Sequence, residues 1–163
     1  MKKYIILLGT ILFSLYGCGG QQEVAYTTHE SADGAYSVDI PSKWGDPRVI
    51  ADVMQIVGGE SDPMVNIMRV PYTSLSDYLN SGEAFSQRET KRKFNYSIKD
   101  RTDNLVAYKI TTPTTFMFSA CSVFGFKRLN SGNYVINVMA VNGEMSYLEQ
   151  IMQHMIESLQ DED

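Results

Sequence analysis

Apolar and polar residues alternate with a period of two along most of the chain after residue 23, which is typical of β-strands. Val24–Thr28 and Ala35–Pro41 flank an Asp-Gly turn and predict a hairpin. The runs Val49–Val57 and Met64–Pro71 are joined by a loop with two glycines and a proline, and we expect them to pair as neighbours. This part of the chain is therefore predicted to form antiparallel sheet.

Four more strand-like runs follow Asn95, and two of them are apolar on both faces. The runs are Tyr96–Asp100, Leu105–Thr111, Thr115–Arg128 and Asn133–Val141, and the short turns between them predict an antiparallel meander. A strand with one wet face would alternate apolar with polar residues. The last two runs do not, so we expect them at the centre of the sheet with cover on both faces.

A helix that covers one face of the sheet is predicted after residue 73, where the spacing of apolar residues changes to that of a helix. Ser74 fits the N-cap, because its hydroxyl can accept a hydrogen bond from an amide of the first turn. The apolar side of this helix consists of Leu75, Tyr78, Leu79 and Phe85.

The most regular helical spacing of apolar residues lies near the end of the sequence and predicts a second helix, which covers the other face of the sheet. We expect this helix to run from a cap at Asn142 to Leu159, with His154 on its exposed polar side. Residues 160–163 are predicted to be a frayed acidic tail. The apolar stripe of the helix consists of Leu148, Ile151, Met152, Met155, Ile156 and Leu159.

These elements together predict an α+β fold. An antiparallel sheet of six to seven strands would carry helices on both faces, which makes a three-layer α/β/α sandwich. A chain of 163 residues is long enough for one such core, and we place a single globular domain at residues 24–159.

The first 17 residues have the pattern of a secretion signal that is removed. Lys2 and Lys3 precede an apolar run from Tyr4 to Leu15. That run is shorter than the roughly 20 apolar residues that a membrane-spanning helix needs. Cleavage is therefore favoured, and ordinary secretion with a different cut and a retained anchor helix are the alternatives.

The residues that follow the apolar run resemble the lipobox of bacterial lipoproteins. Leu15, Tyr16, Gly17 and Cys18 match its pattern, except that a small residue is usual where Tyr16 stands. The resemblance implies a diacylglyceryl group on the Cys18 thiol, with acyl chains such as palmitate. Two or more acyl chains make membrane attachment persistent, whereas one chain gives only marginal binding.

A short tether and a location follow from this resemblance. Residues 18–23 would hold the lipidated cysteine and a flexible link to the domain. Gly19 is not the aspartate that commonly marks inner-membrane retention, so we expect a lipid-anchored protein of the cell envelope, with the outer membrane facing the periplasm favoured over the inner membrane.

Charge and cysteine content exclude some classes of function. Removal of residues 1–17 takes away Lys2 and Lys3, so the 14 Lys and Arg fall to 12 against 19 Asp and Glu, a net charge of −7. Nucleic-acid binders need a cationic face, and we expect no nucleic-acid partner. With Cys18 lipidated, Cys121 would have no second cysteine to pair with, and we expect it to be a buried apolar residue.

The sequence contains one basic cluster, formed by Arg88, Lys91, Arg92 and Lys93. Such a cluster is usually a solvated helix face, supported here by a Glu89–Lys93 pair. The alternative is an interaction patch for anionic lipid headgroups or an acidic partner.

The domain resembles PsbP-like and DcrB-like proteins. The similarity spans about Val24 to Leu159 and is carried by the segment from Gly34 to Trp44 and by the closing helix that ends in Ser158-Leu159. It implies an antiparallel sheet between helices and a role as a binding or assembly factor. No site residues are implied, because no family site motif matches this sequence.

No motif for catalysis, a metal or a cofactor is present: the sequence has no phosphate-binding glycine loop, no His-x-x-x-His or Cys-x-x-Cys pair and no Gly-x-Ser-x-Gly elbow. We therefore expect a non-catalytic binding or assembly domain without cofactor or metal, and a protein partner in the cell envelope. The alternative is a small-ligand receptor or enzyme, with a pocket formed by Tyr, Asp and Glu residues from distant segments.

Overall fold

The secondary structure is mixed α+β. The computed structural model describes residues 24–50, 53–57, 63–81, 95–111, 119–141 and 144–162. In chain order, the strands within these ranges are β1 Tyr26–Glu30, β2 Tyr36–Pro41, β3 Arg48–Ile50, β4 Val53–Val57, β5 Met64–Val70, β6 Asn95–Arg101, β7 Leu105–Thr111, β8 Ser119–Arg128, β9 Asn133–Val141 and β10 Gln160–Asp161. The α-helices are α1 Leu75–Ser81 and α2 Met145–Ser158, and Ser42–Trp44 form a 3-10 turn.

Seven strands form one antiparallel sheet in the order β3-β4-β5-β9-β8-β7-β6. The meander from β6 to β9 and the pairing of β4 with β5 are as predicted. β5 then pairs with β9, with Ile67 opposite Ile136, and so joins the two halves of the chain. The two strands that are apolar on both faces, β8 and β9, lie inside the sheet, as their sequences predict.

The two faces of this sheet carry separate apolar clusters. On one face, residues of α2 and of β2 pack with the sheet, and Val123, Ile136 and Val138 are fully buried there. On the other face, Leu75 and Tyr78 of α1 pack against Phe124 and Phe126 of β8. The predicted fold class, an antiparallel sheet with helices on both faces, is therefore confirmed.

The N-terminal hairpin does not join the large sheet. β1 and β2 form a separate three-stranded sheet with β10 in the order β1-β2-β10. The physical reason is that Val38 and Ile40 of β2 have no exposed surface and pack into the cluster that contains α2. The hairpin thus adds a second sheet on the α2 side.

The predicted acidic tail at residues 160–163 is wrong for its first two residues. Gln160 and Asp161 form β10, which pairs with Ser37 and Tyr36 of β2. The Asp161 carboxylate also accepts hydrogen bonds from the amides of Asn130 and Ser131, at 2.8 and 2.9 Å. Leu159 is fully buried directly before this strand, which brings the following residues against β2.

One other strand differs from the predictions. The predicted strand Val49–Val57 is two strands, β3 and β4, which pair with each other. The Ser74 cap is confirmed, because its Oγ accepts from the amide of Asp77 at 3.1 Å. The expected cap at Asn142 and the apolar contact of Phe85 lie outside the described residues.

Candidate functional site

The site residues predicted from sequence fall outside the part of the chain that the structure describes. This applies to the lipidation site Cys18, to the lipobox residues Leu15, Tyr16 and Gly17, and to the basic cluster Arg88, Lys91, Arg92 and Lys93. Their roles stay predictions.

The described residues contain no group of three or more His, Cys, Asp or Glu side chains placed to hold a metal ion. Within the same ranges, neither helix combines the length and apolar character that crossing a membrane requires.

A groove of about 680 Å³ wraps around one end of the large sheet, and we call it the polar groove. Its floor is apolar and comes from both faces of the sheet, with Leu75, Val106, Phe126 and Ile156. The β6–β7 turn forms one wall, and the first turn of α1 forms another. The polar and charged residues of the walls are Thr73, Ser74, Ser76, Arg101, Thr102, Asp103, Asn104, Lys127, Arg128 and Glu157.

The cations of the polar groove bond to groups in its own walls. Arg128 Nη2 donates to the carbonyl oxygen of Thr73, and Lys127 Nζ donates to the carbonyl oxygen of Glu157 at 3.0 Å. Arg101 Nη2 donates weakly to Ser76 Oγ at 3.4 Å. These bonds hold α1 and the end of α2 at fixed places on the rim.

Burial affects the electrostatics of this groove. Desolvation lowers the pKa of Lys127, and the nearby Glu157 carboxylate partly opposes that shift. Lys127 therefore lies partly shielded from water in the wall of the groove. The groove offers apolar contact, charge and hydroxyl groups side by side.

A second cavity, of about 660 Å³, lies between the two sheets, and we call it the tyrosine cavity. Tyr36 and Tyr134 belong to different sheets and meet edge to face, with ring centroids 4.7 Å apart. Asp33 comes from the β1–β2 turn and Arg69 from the end of β5. The apolar walls are Val49, Met54, Val70 and Pro71.

The polar groups of the tyrosine cavity have different environments. Burial raises the pKa of Tyr36 above the ordinary tyrosine value, so its hydroxyl stays protonated well above neutral pH. The Ser31 hydroxyl and the Ala35 amide lower the pKa of Asp33, which keeps that carboxylate ionised. The Tyr134 hydroxyl contacts Ser131 Oγ at 3.2 Å.

A third cluster joins α2 to the small sheet. The His154 side chain is 39% exposed, as expected for the polar side of α2, but it also makes contacts that were not predicted. Its ring stacks on Tyr26 with ring centroids 3.7 Å apart, and its Nε2 lies 3.2 Å from Asp39 Oδ2. Thr28 Oγ1 donates to the other Asp39 oxygen at 2.6 Å. Burial, Tyr147 and Asp39 raise the pKa of Tyr26. The cluster fastens β1 to the helix.

Cys121 is buried as expected. Only 6% of its surface is exposed, and burial raises the pKa of its thiol above the ordinary value. A raised pKa lowers the thiolate fraction at neutral pH, so this residue is a poor nucleophile.

Few signals in the sequence pointed to the two concave sites. Arg69, Arg101 and Arg128 stand at strand ends, where cations are common in any sheet protein. Tyr36 and Tyr134 are 98 positions apart in the sequence, and only the packing of the two sheets brings their rings together. The alternating pattern predicts that such residues are buried but not what they contact.

Comparison with known proteins bears on the fold. No protein-family model matches the chain, and no curated protein sequence matches it. A solved structure of a point mutant of the protein Mog1 is similar, with a TM-score of 0.59 and 11% identity over 85% of this chain and 97% of that chain. Cyanobacterial PsbP (CyanoP) from Synechocystis sp. PCC 6803 has a TM-score of 0.47 and 13% identity over 89% of this chain and 97% of that chain. The likeness to Mog1 shows a shared fold and nothing about function, and that to PsbP is too weak to carry an argument.

Proposed function

We propose that this protein is a lipid-anchored lipoprotein of the bacterial cell envelope whose domain binds a protein partner without catalysis. The polar groove is the observation that carries the binding part of the proposal. The lipobox resemblance around Cys18 carries the anchoring part.

The composition of the polar groove favours recognition. Protein interfaces combine an apolar centre with a polar rim, and Arg and aromatic residues are enriched in them. Ile156 is half-buried and provides accessible apolar surface, whereas Leu75 and Phe126 of the floor are almost fully buried, and Arg101 and Arg128 stand on the rim. The rim cations bond to backbone carbonyls and a hydroxyl, which fixes their direction before a partner arrives. Preorganised groups lose less entropy on binding.

The acidic balance of the mature chain adds to this argument. A net charge of −7 disfavours nonspecific contact with an anionic membrane surface, whereas the groove gathers three cations, Arg101, Lys127 and Arg128, against two carboxylates, Asp103 and Glu157. A partner with acidic groups around an apolar anchor would complement this surface. The basic cluster Arg88, Lys91, Arg92 and Lys93 is proposed as a further contact for acidic groups.

Site-specific photo-crosslinking in intact cells tests the binding proposal. A photoreactive residue placed at Asn104 or Ser76, on two walls of the groove, should capture the same protein. The control position is Gln150, an exposed residue of α2 that does not line the groove. Equal capture from Gln150, or different proteins from the two walls, would contradict the proposal.

The anchor is tested separately by Cys18→Ser. The acyl chains supply the attachment energy, about 0.8 kcal/mol for each buried methylene, so the substituted protein should leave the membrane fraction. Fractionation of cells and mass spectrometry of the native N-terminus measure this outcome. A Cys18→Ser protein that still sediments with membranes would contradict the anchor and leave the crosslinking result unaffected.

A further inference from the structure

The tyrosine cavity has features that the protein-binding proposal does not use. Its volume of about 660 Å³ lies within the range of roughly 300–1,000 Å³ that small-molecule sites occupy. Val49 on its wall is 51% exposed, and the only other large apolar residue exposed to this degree among the described residues is Val141. The cavity therefore presents apolar surface to solvent at a concave site.

Two hydrogen-bond donors in this cavity have no acceptor. Within the described ranges, neither the Arg69 guanidinium nor the Tyr36 hydroxyl makes a hydrogen bond, whereas the Tyr134 hydroxyl contacts Ser131. No buried side-chain nitrogen or oxygen in those ranges lacks a partner, so the Tyr36 hydroxyl must reach accessible space. The cavity thus contains unused donors of a cationic and a neutral kind.

The backbone leaves room for the Arg69 side chain. Gly132 has a φ of +154°, and a Cβ at this position would lie 2.5 Å from Arg69 Nε. A larger residue at position 132 would displace the guanidinium, so the glycine allows it to lie across the β8–β9 turn. Arg69 therefore extends beside this turn at the edge of the cavity.

We infer that the tyrosine cavity binds a small monocarboxylate with an apolar or aromatic body. One carboxylate oxygen accepts from the Arg69 guanidinium and the other accepts from the Tyr36 hydroxyl, which remains a donor at neutral pH. The apolar body packs mainly on Val49, because Met54, Tyr36 and Tyr134 line the cavity but are almost fully buried. The Asp33 carboxylate interacts with Arg69 at the same site and offsets part of its charge, which favours monoanions over dianions.

The probe is 3-phenylpropionate, and its binding to the full chain in detergent is measured by ligand-observed NMR. The matched probes are 3-phenylpropanol, which has the same body without charge, and the dianion phenylsuccinate. We expect 3-phenylpropionate to bind at least tenfold more tightly than either. Equal binding of the alcohol, or no saturable binding of 3-phenylpropionate, would overturn the inference.

Variants distinguish binding of the probe in the cavity from its partition into detergent micelles. Arg69 is exposed, so Arg69→Gln should fold, and it should lower the affinity for 3-phenylpropionate about tenfold while leaving that of the alcohol unchanged. Tyr36→Phe removes one donor and should lower the affinity severalfold. Arg101→Gln removes a cation from the polar groove instead and should have no effect. An equal loss in Arg101→Gln, or no loss in Arg69→Gln, would show that the cavity is not the site.

Discussion

Gly125 allows α2 to lie close to the large sheet, because glycine has no Cβ. It lies in β8 beneath α2, and a Cβ built there would lie 2.5 Å from Met152 Sδ and 2.6 Å from Ile156 Cδ1. Real Cβ atoms do not approach other heavy atoms this closely, so a larger residue would force the Met152 and Ile156 side chains to shift or the helix to move outward. The glycine is explained by packing, because its φ is not in the left-handed region.

We predict that Gly125→Ala destabilises the protein by about 1–3 kcal/mol through overpacking. Chemical denaturation followed by circular dichroism would measure the loss. The control is a double-mutant cycle with Ile156→Ala, which removes one of the two clashing side chains. The cost of Gly125→Ala should be smaller in that background, and an unchanged cost would show that the clash is not its cause.

At the scale of the element, β10 shows how two residues can be ordered by charge and backbone bonding. β10 pairs with β2, and the Asp161 carboxylate accepts hydrogen bonds from backbone amides of the β8–β9 turn. The Ser131 side chain and the amides of Ser131 and Asn130 lower the pKa of Asp161. A carboxyl whose pKa is lowered by folding stabilises the native state above its unfolded pKa, and this contribution is lost as the pH falls through the folded value.

We therefore predict that Asp161→Asn lowers the melting temperature at pH 7 and that the difference from the parent protein shrinks below about pH 4. Thermal unfolding from pH 7 to pH 2.5 would measure this dependence. Glu162→Gln serves as the control because it makes the same charge change at a neighbouring exposed residue. A difference that stays constant over this range would contradict the role given to the ionised carboxylate.

At the scale of the whole molecule, the two apolar clusters make the centre of the large sheet its most protected part. β8 and β9 are flanked by other strands, and both of their faces are covered. β3 has three residues and lies at one edge of the sheet order. Local opening should require the most free energy where strands have neighbours on all sides.

We predict that amide hydrogen exchange is slowest in β8 and β9 and faster by at least two orders of magnitude in β3 and β10. NMR or mass spectrometry of the full chain in deuterated buffer would measure the rates. β5, which is also internal but alternates buried with half-buried residues, should fall between these groups. Similar rates in β9 and β3 would contradict the two-sided cover of the central strands.

The sequence by itself determined the elements and the layers. An element whose apolar residues line one or both faces of a strand, or one side of a helix, must bury those residues. This requirement predicted the central place of β8 and β9, the buried stripe of α2 and the cover of both faces of the sheet. The signal for lipidation at Cys18 is likewise local, since it consists of neighbouring residues read in order.

Only the tertiary structure decided the separation of the hairpin into its own sheet, the order of β10, the contact of His154 with Tyr26 and Asp39, and the two concave sites. Each depends on groups far apart in the sequence, such as Tyr36 and Tyr134 or Arg69 and Gly132. Periodicity specifies which side of an element is buried but not the partner that covers it. Partners are chosen by the packing of the whole chain, which is why the fold class was predictable and the sites were not.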